Sequence, residues 1–224
     1  MSKLLLDGIS LPKNAKVGLF GGSFNPAHEW HYQVANEAYK SLNLDLVIWL
    51  VSPHNPLKDK DSLMPLKERL KSAKNIASSK HFVVTDVEKT IKTQYSSDTV
   101  AMFQETYSSE KFIWIMGSDN AAQIDEWKNW REFITKIPLA IYPRATHPLS
   151  DVEKKLKNYS NKIDEKDSKI LINQETPCFT FINGPMNDIS STRIKSIVTK
   201  KLLKEIISSL DDNKALDITS IPLE

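Results

Sequence analysis

The sequence predicts an α/β protein with a doubly wound, Rossmann-like parallel sheet flanked by helices and a C-terminal helical segment. Three observations predict it. Short apolar runs alternate with stretches long enough for helices, the pattern of right-handed βαβ crossovers. The run over 44–52 is almost continuously apolar, as suits a strand covered on both faces. The unusual residues fall just after predicted strands, where ligands sit in sheets of this kind. At 224 residues the chain reads as one domain over 1–224, long enough to bury a real core.

Val17-Gly18-Leu19-Phe20 is a first strand, stopped by Gly21-Gly22. Residues 28–42 carry no breaker and read as a helix, with Pro26 near the first turn, where its missing N–H does little harm. The strand at 44–52 ends in Pro53-His54-Asn55-Pro56, and a helix follows over 65–78. The pattern then repeats: strand 81–87, helix 97–107, strand 111–117, helix 121–135 and strand 138–142. Residues 150–169 are rich in Lys, Asp, Asn and Ser and read as a solvated helix and loop. A last strand over 178–182 leads through Asn183-Gly184-Pro185 to a helix over 191–210. The tail 211–224 has weak periodicity.

Composition excludes several classes. Thirty basic residues against 28 acidic leave a net charge of +2, too balanced for a broad duplex-gripping face, so no nucleic-acid partner is expected. The single cysteine, Cys178, excludes an internal disulfide framework and a multi-thiolate zinc site. No apolar stretch approaches the ~20 residues of a membrane span, so no membrane partner is expected. Leu4-Leu5-Leu6 is followed at once by Asp7, too short for a secretory core. A soluble, cytoplasmic protein is the expectation.

Two clusters carry chemistry. The first is Gly21-Gly22-Ser23-Phe24-Asn25-Pro26-Ala27-His28-Glu29-Trp30-His31; three of the six glycines lie between positions 18 and 22. Glycines there permit positive φ and close approach of a ligand to the backbone. The following helix N-terminus favours phosphate, and His28 and His31, three apart, share a face of its first turn. A P-loop, a G-x-G-x-x-G fingerprint and H-E-x-x-H all fail on spacing, the last because Tyr32 stands where histidine is needed. A plain Gly-Gly turn before a helix with two surface histidines fits the same residues. The second cluster is Ser190-Ser191-Thr192-Arg193-Ile194-Lys195. Simple N-capping accounts for a serine there, while three hydroxyls with two cations also suit a phosphate cradle.

Together, G-G-S-F-N-P-x-H-x-x-H and the distant I-S-S-T-x-I-K resemble the nucleotidylyltransferase superfamily, and within it the bacterial nicotinate-nucleotide adenylyltransferases. Asn55-Pro56-Leu57-Lys58, Tyr95-Ser96-Ser97-Asp98-Thr99, Gly117-Ser118-Asp119-Asn120 and Trp127-Lys128-Asn129-Trp130 are similar to further segments of that family, in the same order between residues 17 and 195. The resemblance implies in-line attack by the 5′-phosphate of nicotinate mononucleotide on the α-phosphorus of ATP, with Mg²⁺ accompanying the ATP. His28, His31, Lys58 and Arg193 would be catalytic. Gly21, Gly22, Ser23 and Phe24, with the two histidines, Ser190, Ser191, Thr192 and Lys195, would hold ATP. Asn25, Lys58, Tyr95, Ser96, Asp119 and Trp127 would hold the acceptor: Asp119 on the ribose, the Ser96 backbone at the carboxylate, and Trp127 on the pyridine ring. Trp130, His54 and His81 would play no direct part, and no metal site is expected in the chain itself.

Two positions depart from the family. Lys195 stands where arginine is usual, keeping charge without the planar fork. Trp30 stands where H-x-G-H has glycine, and its indole could turn aside, pack on the adenine or impair the site. Nicotinamide mononucleotide, phosphopantetheine and cytidylyl transfer are the alternative chemistries. The oligomeric state is not legible.

Overall fold

A computed structural model describes residues 8–54 and 63–184. The predicted helix over 191–210 and the tail lie outside them. Seven strands form one sheet in the order β3-β2-β1-β4-β5-β7-β6, with every neighbouring pair parallel. They are β1 (Lys16–Gly22), β2 (Leu46–Val51), β3 (Phe82–Thr85), β4 (Lys111–Gly117), β5 (Leu139–Tyr142), β6 (Asn161–Lys162) and β7 (Cys178–Phe181). The helices are α1 (Glu29–Ser41), α2 (Leu66–Ile76), α3 (Val87–Thr90), α4 (Ser96–Thr106), α5 (Ser118–Ala122), α6 (Trp130–Lys136) and α7 (Leu149–Leu156). The described residues belong to one unit, Met1–Asp188.

The sheet interior follows from its β-branched and aromatic strands. All six residues of β2 are buried, and β1 and β4 flank the centre with Leu19, Phe20, Trp114 and Ile115. Each aliphatic side chain removed from water here contributes about 1.5–3 kcal/mol. In α1 the buried residues Trp30, Val34, Ala35 and Ala38 mark one stripe of a 3.6-residue period, so the helix lies on the sheet by that face. The two central strands, β1 and β4, both run out toward the same edge, which is where the order reverses from descending to ascending numbers. That is the crevice position of open parallel sheets.

Three expectations need correction. The helix over 121–135 is broken into α5, a 3₁₀ turn at Ile124–Glu126 and α6, with Asn129 left-handed at φ 56°. Asparagine tolerates that conformation, so the break needs neither Gly nor Pro. The strand over 81–87 stops at Thr85, because Asp86 begins the short α3. Residues 150–169 are only partly solvated: α7 buries Val152 and Leu156, and the 3₁₀ segment Glu165–Asn173 buries Ser168 and Leu171. The paired strand β6 lies between them.

Candidate active site

β1 delivers the chain to the turn at residues 23–27, and His28 then serves as N-cap of α1 with extended backbone (φ −150°, ψ 169°). The His28 N–H donates to His31 Nδ1 at 3.2 Å, and the two imidazole centroids are 3.9 Å apart. That bond makes Nδ1 of His31 an acceptor, so the proton of its neutral ring lies on Nε2. His28 is 7% exposed, and neither of its ring nitrogens has a hydrogen-bond partner. Burial, and then the charge of Arg144, lower its pKa to about 4. The ring is therefore neutral at pH 7, and its orphaned polar atoms mark a place where a donor or acceptor is wanted.

The glycines act differently from the expectation. Among the described glycines only Gly8 has positive φ; in the turn itself that conformation belongs to Phe24, at φ 44°. Gly21 lies within β1 because a Cβ there would come within 2.6 Å of the Trp114 ring. Phe24 is buried, stacks on Trp49 with centroids 5.1 Å apart, and sets its edge toward His31 at 5.0 Å. Its side chain is a floor for the imidazole. Asn25 is buried too, its Oδ1 accepting from the Met64 N–H at 2.8 Å.

Beyond β4 and β5 lies a charged group that the sequence reading missed in part. Arg144 Nε is 3.8 Å from Asp119 Oδ1, and both atoms are buried. The backbone around them is fixed by Ser118 Oγ, which accepts from the Arg144 N–H at 2.9 Å and donates to the His147 carbonyl at 2.7 Å. Arg144 follows the predicted strand over 138–142 by two residues, and that position was its only signal.

A cavity of about 280 Å³ opens beside the turn. Gly21, Gly22 and Ser23 form one wall, and Tyr95, Ser96 and Trp127 line it from α4 and the 3₁₀ break. Trp127 is half-buried, held edge-on to Trp114 at 6.3 Å and beside Phe133 at 5.6 Å. Further lining residues were not foreseen, among them Lys128, Asn120 and Glu88. Lys128 Nζ sits 4.2 Å over the Tyr95 ring. Asn120 lines the cavity where its neighbour Asp119 does not. Glu88 is 5% exposed and accepts from Thr99 Oγ1 at 2.9 Å; burial pushes its carboxyl above the usual range.

The structure thus brings Gly21, Gly22, Ser23, Tyr95, Ser96 and Trp127 to one cavity. It places His28 and His31 at the head of α1, with Phe24 against His31. It sets Asp119 toward Arg144. Lys58, Ser190, Ser191, Thr192, Arg193 and Lys195 lie outside the described residues. Trp30 is turned into the protein, 6% exposed, with its ring edge-on to Tyr142 at 5.6 Å. Trp130 packs on Tyr159 at 4.9 Å, away from the cavity lining. Among the described residues no group of three or more His, Cys, Asp or Glu could hold a metal ion, and no helix is long and apolar enough to cross a membrane.

A cytidylyltransferase-like family model matches residues 19–197. A probable nicotinate-nucleotide adenylyltransferase of Brucella abortus is 38% identical over 83% of this chain and 96% of its own length. One from Rhizobium johnstonii is 39% identical over 80% of this chain and 92% of its own. The chain belongs to this family. Its fold is shared with the Plasmodium falciparum nicotinic acid mononucleotide adenylyltransferase complexed with NaAD. That structure has a TM-score of 0.63 at 17% identity, covering 80% of this chain and 82% of the other. The same enzyme complexed with APC gives a TM-score of 0.61 at 18% identity.

Proposed function

We propose that this protein transfers the adenylyl group of ATP to nicotinate mononucleotide, giving deamido-NAD and pyrophosphate for NAD biosynthesis. The observation that carries the reading is that Gly21-Gly22-Ser23 both walls the aromatic cavity and leads directly into the His28–His31 pair. A ring seated in the cavity therefore has its phosphate directed to the same turn that meets the triphosphate.

In the reaction a 5′-phosphate oxygen of the acceptor attacks the α-phosphorus. The bond from that phosphorus to the bridging oxygen breaks, and pyrophosphate carries away the electron pair. The attacking phosphate is already ionised, so no protein nucleophile is needed, and catalysis consists of positioning and charge neutralisation. His31 presents Nε2–H as a donor to the phosphates, its tautomer set by the bond to the His28 N–H. His28 enters neutral; a phosphate beside it opposes the repulsion from Arg144 and draws its pKa back up. Ser23, whose hydroxyl is buried without a partner, is a further donor at the cavity wall.

Trp127 stacks on the pyridine ring and the Ser96 backbone meets its carboxylate. Asp119 accepts from ribose, and the family resemblance assigns the polyphosphate to Lys58, Ser190, Ser191, Thr192, Arg193 and Lys195. ATP would enter as its Mg²⁺ complex, the ion offsetting charge on the polyphosphate. The single cysteine is a buried thiol whose pKa burial raises to about 11, so it supplies no nucleophile to the reaction.

The test is pyrophosphate release from ATP and from CTP with nicotinate mononucleotide, nicotinamide mononucleotide and phosphopantetheine as acceptors. The proposal expects the first acceptor with ATP to dominate. Turnover with it no higher than in His31→Ala removes the assignment.

A further inference from the structure

Arg69, on α2, is 1% exposed, and every nitrogen of its guanidinium is spent on backbone carbonyls. Nε donates to Met64 O at 2.9 Å, and Nη1 to Ser23 O at 2.8 Å and Ser52 O at 2.7 Å. Nη2 donates to Pro53 O at 3.0 Å. None of the ion pairs among the described residues gives it a carboxylate. Four carbonyls from three separate stretches thus converge on one cation: the glycine turn, the end of β2 and the approach to α2.

Stability alone is a poor reason for such a group. Burial works against its charge, and well-packed apolar side chains often serve as well in place of buried ions. What a planar five-donor fork supplies, and an apolar residue does not, is fixed orientation of several peptide groups at once. The tie is reinforced in the opposite sense by Asn25, whose Oδ1 accepts from the Met64 N–H. The Ser23 carbonyl is thereby turned to α2, and its peptide plane is set.

We propose that Arg69 is a positioning residue, holding the Ser23 peptide and the end of β2 so that the turn before His28 presents its donors to the nucleotide's phosphates. It rests on the reading of that turn as the ATP site. Arg69 touches no substrate; it acts through the Ser23, Ser52 and Pro53 carbonyls.

Arg69→Met keeps the volume and removes every donor, and Arg69→Lys keeps the charge with three donors in no fixed fork. Both are compared with wild type at a temperature where circular dichroism shows each folded. ATP binding is read by calorimetry, and mononucleotide binding by tryptophan fluorescence. The expected result for Arg69→Met is a loss of about 100-fold in kcat/KM for ATP, with a parallel loss of ATP affinity. The mononucleotide dissociation constant stays within about threefold, and Arg69→Lys recovers about tenfold of the loss. Unchanged ATP binding in folded Arg69→Met, or equal weakening of both ligands, overturns the proposal. If Arg69→Met does not fold, Arg69→Lys decides: wild-type ATP binding there overturns it and selective loss supports it. Wild-type turnover reports separately on the transfer reaction, since calorimetric ATP binding keeps the Arg69 comparison readable without it.

Discussion

At the head of α1, two imidazoles lie with centroids 3.9 Å apart, His31 against the edge of Phe24, and His28 is 7% exposed with both ring nitrogens unpartnered. Across Gly21-Gly22-Ser23, Tyr95, Trp127 and Phe133 instead surround about 280 Å³ of open space. The first region is dense and polar where it is buried, its two histidines joined by one hydrogen bond from the His28 N–H to His31 Nδ1; the second is hollow, aromatic, and set by ring packing. Charge chemistry demands atoms held within tenths of an ångström, whereas a flat ring needs two faces and room between them. The contrast implies that changes in the first region act on turnover and those in the second on acceptor affinity.

The largest effect falls on the imidazoles. His31→Ala is expected to lower kcat by about 100- to 1,000-fold, the scale of losing a donor to developing charge. Pyrophosphate release at saturating substrates measures it; a loss under threefold removes His31 from the chemistry. Trp30→Gly probes the same helix from behind. It removes an indole packed on Tyr142 and is expected to destabilise by about 3–5 kcal/mol. With the indole turned away from the site, kcat/KM for ATP in the folded variant changes less than about threefold. Urea melts and steady-state kinetics give the two numbers, and a large kinetic change at full stability would show that the indole meets the nucleotide.

On the cavity side, Trp127→Ala should raise KM for nicotinate mononucleotide about tenfold and leave kcat within about twofold, as loss of one stacking face predicts. Equal falls in kcat and kcat/KM would erase the contrast between the regions.

A further effect, on stability rather than on kinetics, is its pH dependence. The His28 pKa lies near 4 in the fold and near 6.5 unfolded, so between these values the unfolded chain binds the extra proton. Stability is complete above pH 6.5 and declines as pH falls toward 4, by up to about 3 kcal/mol. His28→Gln removes that part of the slope in urea melts compared at pH 5 and 7; an unchanged slope would mean that His28 titrates normally.

Much of this was legible because the strands end in unmistakable breaks. The predicted strand over 111–117 matches β4 residue for residue, and Tyr95, Ser96 and Trp127 do line one cavity. What escaped did so for physical reasons. The break between α5 and α6 rests on a left-handed Asn129, which carries no breaker composition. Arg69 and Glu88 carry no local signal, because nothing in the neighbouring residues reveals that long-range contacts bury them. Arg144 is a single charged residue in a loop, informative only once Asp119 is brought to it. Of the two reasons read for the glycines, positive φ does not hold: Gly21 accommodates the Trp114 ring, and Phe24 takes the left-handed conformation.

Trp30 joins α1 to β5 through Tyr142, a strand two places from the one that feeds the helix. Where the pattern this sequence resembles has glycine, this chain has a brace, and the segment that carries both imidazoles is shored from the side. Alterations of the tyrosine should therefore shift the histidines as a rigid pair, so that an apparently inert aromatic governs how squarely they meet their target.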